Sequence, residues 1–490
     1  MNLKSLKNFF FENIGIKQSV LKNTFWLTAA EMVTRIVQFI LIVYITRVLG
    51  ATEFGEFTFA LSFVSIFVVL SDFGLSDITN RELSQDKNGE AEYSSVLSLK
   101  ILFSIGATIL TAIGAFFVTP IPIVRGVIVI LAFSVSVSNF FSIIYAFLRS
   151  RQRMEHEALV KIIQAVVTIV IVTFTIFNFP SVENISWSYL AASCVSLIIV
   201  LLIFHFYVQP LKLNCSIAVW KKFFHFSHSL GLASIFGAIL LNADSVIMGY
   251  LGQMTQNGWY AAAERVISFT VIPSTLLFMS FYPVLSKLFK QSGERFQTAL
   301  NYYIESMIVL AVPITLGGFI LSSQIISFIY NSNFNPSIFA FRILIFTTGI
   351  SFIYSPYVMM LIVSGHQNKY FIVNLVAAIA NIVLNVILIP FYSYYGAAVT
   401  AVITNALILI LGIILVKKFI SIEIFSVKLF KITLVVVLSA FVMAVAIGRA
   451  VACNLNIFLV IIAGILSYFA VLFCFYKYLF KLNFLSEKHE

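Results

Sequence analysis

Charged residues are scarce in this 490-residue chain, at 10% of the total, whereas 60% of the residues are apolar. A soluble domain of average composition carries about 25% charged residues, so a soluble globule of this length would lack polar cover. The scarcity excludes a large soluble domain such as an ATPase module, and it excludes nucleic acid as a partner. The sequence also lacks a P-loop, a Rossmann fingerprint and a nucleophile elbow, and we expect no catalytic residues and no cofactor.

Cysteine supplies no framework either. The four cysteines are widely separated, with no pair at the spacing of a metal or redox motif, so we expect neither a disulfide scaffold nor a metal site. The first apolar run, which begins near Thr24, is too long for the core of a cleaved signal peptide. We therefore expect residues 1–23 to form a cytoplasmic segment and the run that follows to be a retained membrane span.

Long apolar runs are what the sequence has in abundance. Crossing the ~30 Å hydrocarbon layer as a helix takes ~20 residues, and each run is long enough. The sequence thus predicts an all-α polytopic membrane protein with about 14 transmembrane helices. The runs lie at about 24–49, 57–76, 94–118, 122–148, 158–179, 186–208, 223–250, 258–288, 299–322, 337–363, 370–390, 394–417, 430–453 and 456–480.

Basic residues are distributed unevenly between the predicted connections. With the N-terminus inside, 25 of the 31 Lys and Arg residues fall in the inner segments, and the outer connections are short and nearly uncharged. Basic residues are retained on the cytoplasmic side of membrane proteins. The pattern predicts 14 spans in the cytoplasmic (inner) membrane with both termini cytoplasmic, and it explains the net charge of +11 as topology.

The six remaining basic residues are all arginines: Arg35, Arg47, Arg125, Arg265, Arg342 and Arg449. Arginine keeps its charge in a low-dielectric site and offers a planar fork that binds phosphate or carboxylate. We interpret Arg125 and Arg449 as interface anchors and expect the other four to bind an anionic substrate. No lysine falls outside the inner segments.

The first span carries five polar residues at spacings of three and four: Thr24, Thr28, Glu31, Arg35 and Gln38. This spacing places them on one helix face. A charge at the centre of a membrane helix costs ~2.5–3.5 kcal/mol on insertion scales, so we expect the face to meet a wet cavity or a partner helix and Gln38 to contact substrate. Alternatively, Glu31 and Arg35 only pair with each other while the face packs against the bundle.

Acidic residues inside the spans are rare, and we expect three of them to bind a coupling ion: Glu31, Asp244 and Glu264. A carboxylate in a cavity wall can bind a proton or Na⁺ and change its partner on release, which couples transport to an ion gradient. The alternative is a salt bridge from Asp244 or Glu264 to Arg265 or Arg342 that only orders the second half of the protein.

Two short signatures occur twice in the same order. The first signature occurs at 49–57 and again at 251–260. It consists of Leu-Gly, a polar stretch, and then Gly with an aromatic residue two positions later. The second signature occurs at 147–152 and 362–367. These offsets predict a duplicated six-helix unit, and because six is even, the copies are related by an axis along the membrane normal. The predicted organisation is an N-lobe at 24–208 (spans 1–6), a cytoplasmic linker at 209–222, a C-lobe at 223–418 (spans 7–12), and spans 13–14 with a cytoplasmic tail at 419–490.

The segment RVLGATEFGEF at 47–57 resembles the opening motif of polysaccharide repeat-unit (O-antigen, Wzx-type) flippases, which belong to the multidrug/oligosaccharidyl-lipid/polysaccharide exporter superfamily. DFGL at 72–75 and NIVLNVILIP at 381–390, followed by YGAA at 395–398, fit the same family. The resemblance covers most of the chain, and its motifs specify the superfamily and not a substrate. The sequence departs from it at the SGHQ turn (364–367), which carries little charge, so the inner gates of the two lobes are expected to differ.

The resemblance implies two six-helix lobes around a central cavity, two further helices, and alternating access. The implied function is to move an undecaprenyl-pyrophosphate-linked oligosaccharide repeat unit to the outer leaflet, driven by an ion gradient. The expected partners are this lipid-linked oligosaccharide, a proton or Na⁺, membrane lipids and other polysaccharide-assembly membrane proteins.

Three alternatives stay open. A flippase for a lipid-linked peptidoglycan precursor would share all these features. A multidrug or cation exporter of the same superfamily usually has 12 spans and an acid-dominated cavity, which spans 13–14 and Arg35 argue against. An integral-membrane polysaccharide polymerase would be an enzyme and would need catalytic groups on a large outer loop, whereas the predicted outer connections are short and poor in titratable groups.

Overall fold

A computed structural model describes residues 16–85, 90–207, 213–289, 293–420 and 427–480, and almost all of these residues are helical. Within these ranges no strand occurs, and twelve helical segments are long and apolar enough to cross a bilayer. The predicted all-α polytopic membrane fold is confirmed. The helices are α1 (Ile16–Asp72), α2 (Leu75–Gln85), α3 (Glu90–Val118), α4 (Pro122–Ser150), α5 (Met154–Asn178), α6 (Val182–Tyr207), α7 (Ile217–Tyr250), α8 (Met254–Thr270), α9 (Ile272–Phe289), α10 (Gly293–Ile320), α11 (Ser322–Ile329), α12 (Ser337–Val363), α13 (Gln367–Phe419), α14 (Val427–Ala452) and α15 (Ile457–Phe480), with a short 3-10 helix at Ser332–Phe334.

The helix α13 doubles back on itself. Its 53 residues would extend about 80 Å if straight, far more than a bilayer requires. The backbone at Ser393 is not helical (φ 52°), and the two ends of α13 lie side by side, since the Lys369 ammonium is 5.0 Å from the ring of Phe419. Residues 367–392 and 394–419 are therefore two antiparallel helices.

The helix α1 reverses in the same way at Gly50, where φ is 73°. The ring of Tyr44 lies 5.5 Å from that of Phe177 at the end of α5, and Glu53 accepts a hydrogen bond from the backbone N–H of Val182 at the start of α6. Gly50 therefore lies near the connection between α5 and α6. The last residue of α1, Asp72, contacts Ser142, in the half of α4 that leads to α5. Each predicted apolar run thus overlaps a helix or half of α1 or α13. That fourteen segments cross the membrane stays a prediction.

The chain forms two compact units, residues 1–258 and 259–490. Each has its own apolar core: in the first unit it includes Tyr93, Phe141, Phe147 and Phe204, and in the second Tyr303, Phe352 and Met359. The helix α7 belongs to the first unit, where Phe224 stacks on Phe73 with 5.6 Å between ring centroids. The predicted lobe boundaries stay predictions, and the predicted segments at 1–23, 209–222 and 419–490 lie partly outside the described residues.

The glycines of the first repeated signature contact each other in the first unit. Gly50 and Gly252 have the same φ of 73°. A Cβ on Gly55 would lie 1.7 Å from the carbonyl oxygen of Met254, and a Cβ on Gly258 would lie 1.9 Å from that of Ala51. The contact is reciprocal, because each glycine faces a backbone oxygen four residues before the other glycine. Only glycine fits at residues 55 and 258, and this steric demand explains the repeated spacing.

Two native cysteines test the predicted topology. Cys453 lies in the connection after α14, predicted to be outside, and Cys215 lies before α7, predicted to be inside; both side chains are exposed. In variants that retain one cysteine and carry serine at the other three, a membrane-impermeant maleimide added to intact cells should label Cys453 and not Cys215. Inverted vesicles should give the opposite result. Labelling of Cys215 in intact cells would contradict the proposed orientation.

Candidate functional site

The polar face predicted for the first span lies away from the core of the first unit. Arg35 and Gln38 are exposed and Glu31 is half-buried, whereas Leu41 and Ile45 on another face are buried. The 3.6-residue period of the helix separates the two faces, as the spacing predicts. The polar face is therefore not packed into the core of the first unit.

Five side chains of alternating charge connect three helices; we call them the charge chain. Arg35 donates from Nε to Glu31 at 3.0 Å, and the ammonium of Lys161 on α5 lies 3.2 Å from the other oxygen of Glu31. Lys161 is also 3.3 Å from Glu157, which Arg149 on α4 binds through two nitrogens at 2.6 and 2.8 Å. The predicted Glu31–Arg35 pair is present, but it is one end of a longer chain.

The turn from α4 to α5 fixes the buried end of the charge chain. Gln152 takes a positive φ of 55°, and the polypeptide reverses direction within three residues, which brings Arg149 opposite Glu157. The Glu157 side chain has no exposed surface, so it needs both of its cations. The hydroxyl of Tyr145 donates to Gln164, and the Tyr145 ring lies 5.5 Å from the ammonium of Lys161. These contacts hold Lys161 in place.

A second buried ion pair in the first unit joins Asp72 at the end of α1 to Lys100 on α3. The Ser76 and Ser142 hydroxyls also donate to the Asp72 carboxylate, the latter at 3.0 Å. The side chain of Lys100 has no exposed surface and lies eleven residues into its helix. Lys100 is therefore paired within the first unit, and its assignment to an inner segment stays a prediction. The sequence signal for this ion pair is Asp72, the acidic residue of DFGL. Its partner Lys100 lies 28 residues further along the sequence, so no local spacing indicates the pair.

The other predicted site residues lie in both units. In the first unit, Arg47 is exposed near Gly50, and Asp244 is half-buried on α7, where its Oδ1 accepts a hydrogen bond from the Ser245 backbone N–H at 3.0 Å. In the second unit, Glu264 is half-buried on α8. The roles predicted for these residues stay predictions.

Two arginines of the second unit differ in how they are bonded. Arg342 donates from Nε to the hydroxyl of Ser322 at 2.7 Å. The Nε of Arg265 is buried and has no hydrogen-bond partner among the described residues. A buried donor without a partner is costly, so it is the kind of group that a bound anion satisfies.

The fold and these charged sites define a polytopic α-helical membrane protein with polar groups inside its spans. The sequence profile described as "Polysaccharide biosynthesis protein" matches residues 20–289, more than half of the chain, and the chain belongs to that family. The resemblance to polysaccharide flippases inferred from the motifs is thereby confirmed.

Two curated relatives match most of the chain. The "Probable low-salt glycan biosynthesis flippase Agl15" of Haloferax volcanii is 23% identical over 79% of this chain and 81% of its own length. The "Capsular polysaccharide biosynthesis protein CapF" of Staphylococcus aureus is 22% identical over 80% of this chain and 98% of its own length.

Solved structures share the fold. The lipid II flippase MurJ in an inward closed conformation superposes with a TM-score of 0.76 and 16% identity, covering 92% of this chain and 99% of that chain. An inward-facing MATE family multidrug resistance transporter of the MOP superfamily gives a TM-score of 0.66 at 13% identity, over 81% and 98% of the two chains. At these identities the likeness concerns the fold alone.

The Asp72–Lys100 pair is expected to stabilise the first unit. Lys100→Met leaves a carboxylate without its cation and should lower the free energy of unfolding by about 3–5 kcal/mol. Adding Asp72→Asn should recover most of this loss, because the neutral amide still hydrogen-bonds to the two serines. Thermal unfolding of the purified protein in detergent measures both effects.

Arg81→Gln is the control, because it breaks an ion pair whose arginine is exposed. This variant should stay within about 0.5 kcal/mol of wild type. A double variant no more stable than Lys100→Met alone would contradict the proposed role of the pair.

Proposed function

We propose that this protein is a flippase that moves a lipid-linked oligosaccharide across the cytoplasmic membrane. The observation that carries the proposal is the half-exposed Glu31–Arg35 pair near the middle of the first half of α1, linked to Lys161. Ionisable groups within membrane spans are expensive and usually functional. The family, and relatives named for glycan biosynthesis and capsular polysaccharide, support a glycan as cargo.

The carrier lipid in this proposal is undecaprenyl pyrophosphate. Arginine matches the geometry of phosphate through two parallel hydrogen bonds and stays charged at low dielectric constant. Arg35, Arg47, Arg265 and Arg342 are the proposed phosphate-binding residues, and Gln38, one helical turn beyond Arg35, is a proposed contact to the substrate. The buried, unbonded Nε of Arg265 supports this assignment.

Transport in this proposal proceeds by alternating access, driven by an ion gradient. Asp244, Glu264 and Glu31 are the proposed ion-binding residues, because each is a carboxylate within a helix. Flipping by Asp244→Asn in proteoliposomes, with and without an imposed proton or Na⁺ gradient, tests the coupling. An unchanged response to the gradient would remove Asp244 from the mechanism.

Two neighbouring functions are the competitors. A peptidoglycan-precursor flippase is favoured by the MurJ-like fold, and a multidrug exporter by the MATE-like folds. Flipping assays with a lipid-linked repeat unit, a lipid-linked peptidoglycan precursor and an organic cation separate the three. We assign the protein to the inner membrane with both termini cytoplasmic and propose other polysaccharide-assembly membrane proteins as partners, and we do not assign an enzymatic activity.

Arg35 is expected to be necessary for transport. Arg35→Ala should abolish complementation of a flippase-null strain at normal protein levels, and Arg35→Lys should retain part of it, because lysine keeps the charge and loses the fork.

Arg125→Ala is the matched control, since the Arg125 guanidinium donates to the Thr119 carbonyl and lies 5.4 Å from the ring of Phe116. That variant should complement. Full complementation by Arg35→Ala would exclude a role for Arg35 in substrate binding.

We also expect the contact between Gly55 and Gly258 to open during transport. The Thr52 and Thr255 hydroxyls are hydrogen-bonded at 2.8 Å beside Gly55 and Gly258, so this contact must separate if the two helix ends part during transport. In a variant without the native cysteines, Thr52→Cys with Thr255→Cys should form a disulfide on oxidation, stop flipping, and regain it on reduction. Each single cysteine variant should be insensitive to oxidant. Normal flipping by the fully cross-linked protein would show that this contact stays closed.

A further inference from the structure

Glu31 uses its two carboxylate oxygens on two different cations from two different helices. Oε1 accepts from Arg35 on α1 at 3.0 Å, and Oε2 lies 3.2 Å from the ammonium of Lys161 on α5. A phosphate group could bridge the same two cations, because its several oxygens can accept hydrogen bonds from separate donors. The carboxylate therefore lies where an anionic ligand would bind.

The two sides of this site differ in how firmly they are held. The side chain of Lys161 is 16% exposed and is fixed from behind by the fully buried Glu157 and by the ring of Tyr145. Glu31 and Arg35 are 46% and 52% exposed, and ion pairs at such exposure contribute little free energy. Lys161 is therefore held in position, whereas Glu31 is held weakly enough for a competing anion to displace it.

Arg35 also keeps most of its binding capacity. Its only hydrogen bond to a described residue runs through Nε to Glu31. A guanidinium has five N–H donors, so its terminal nitrogens stay available for a bidentate contact with phosphate. The site contains two cations and one weakly held carboxylate.

We propose that Glu31 is an internal stand-in for the substrate's pyrophosphate, and that Lys161 is the second cation of the pyrophosphate site. This inference rests on the proposed flippase function. When the lipid-linked substrate enters, its pyrophosphate takes Arg35 and Lys161, and Glu31 turns away into the open side of the site. When the substrate leaves, Glu31 pairs with the cations again, so Arg35 is not left without a counter-ion.

Competition by Glu31 also sets how tightly an anion must bind to occupy the site. An anion must displace a carboxylate that already contacts both cations, so a ligand with few oxygens gains little on binding. A pyrophosphate, with more oxygens and more charge, gains more. Removing the charge of Glu31 should thus strengthen binding of pyrophosphate and monophosphate lipids alike, because both must displace the same carboxylate.

The test is equilibrium binding to the purified full-length chain in nanodiscs, with undecaprenyl pyrophosphate and undecaprenyl phosphate as probes. Glu31→Gln should bind the pyrophosphate about tenfold more tightly than wild type and should bind the monophosphate more tightly as well, because both ligands are freed from the same competing carboxylate. Lys161→Met should weaken pyrophosphate binding about tenfold or more, and Lys161→Arg, which keeps a cation beside Glu157, should restore it.

Glu294→Gln is the charge-matched control, because Glu294 is an exposed acid at the start of α10, and its affinity should equal that of wild type. If Glu31→Gln is poorly folded, Glu31→Asp decides: its shorter side chain cannot reach both cations, so binding should again tighten. Wild-type binding with no tightening in either Glu31 variant would overturn the stand-in role alone. Failure of the wild type to bind undecaprenyl pyrophosphate would overturn both this inference and the proposed function.

Discussion

A charge removed from water must be paired, and this constraint organises the first unit. The carboxylate of Glu157 has no exposed surface and is held by Arg149 from the preceding helix and by Lys161 one turn later. A buried carboxylate that loses a cation is strongly destabilised. The tight turn between α4 and α5, the position of Lys161 and, through Lys161, its contact with Glu31 on α1 all depend on this pairing.

The glycine contact is a steric constraint of a different kind. At Gly55 and Gly258 two backbones approach so closely that no side chain fits, and the Asn257 amide donates to the Gly55 carbonyl at 2.8 Å across the contact. In lipid no hydrophobic effect holds helices together, so they associate through close packing and hydrogen bonds. Small residues allow this close approach of the two backbones. Close backbone packing and the hydrogen bonds of Asn257 and of the Thr52–Thr255 pair hold this contact.

The sequence predicts what depends on neighbours along the chain and misses what depends on distant residues. The helices follow from apolar runs, and the Glu31–Arg35 pair follows from a spacing of four. Lys161 and Lys100 fit the pattern of inner basic residues, which topology explains, and their contacts with Glu31 and Asp72 join residues 130 and 28 positions apart. The repeated signatures predicted a duplication, but no local pattern could indicate that Gly55 and Gly258 touch each other.

The ion pairs of the first unit therefore divide by burial into two kinds with different uses. Asp72–Lys100 and Arg149–Glu157 each contain a side chain with no exposed surface, and exchanging a partner there would carry a large desolvation penalty. Glu31–Arg35 is about half exposed at both ends, so its partners can be exchanged at small cost. Lys161 belongs to both kinds, since it contacts the fixed Glu157 and the exchangeable Glu31. An anion that replaces Glu31 would thus meet a cation already held in place, and the buried pairs would not have to move.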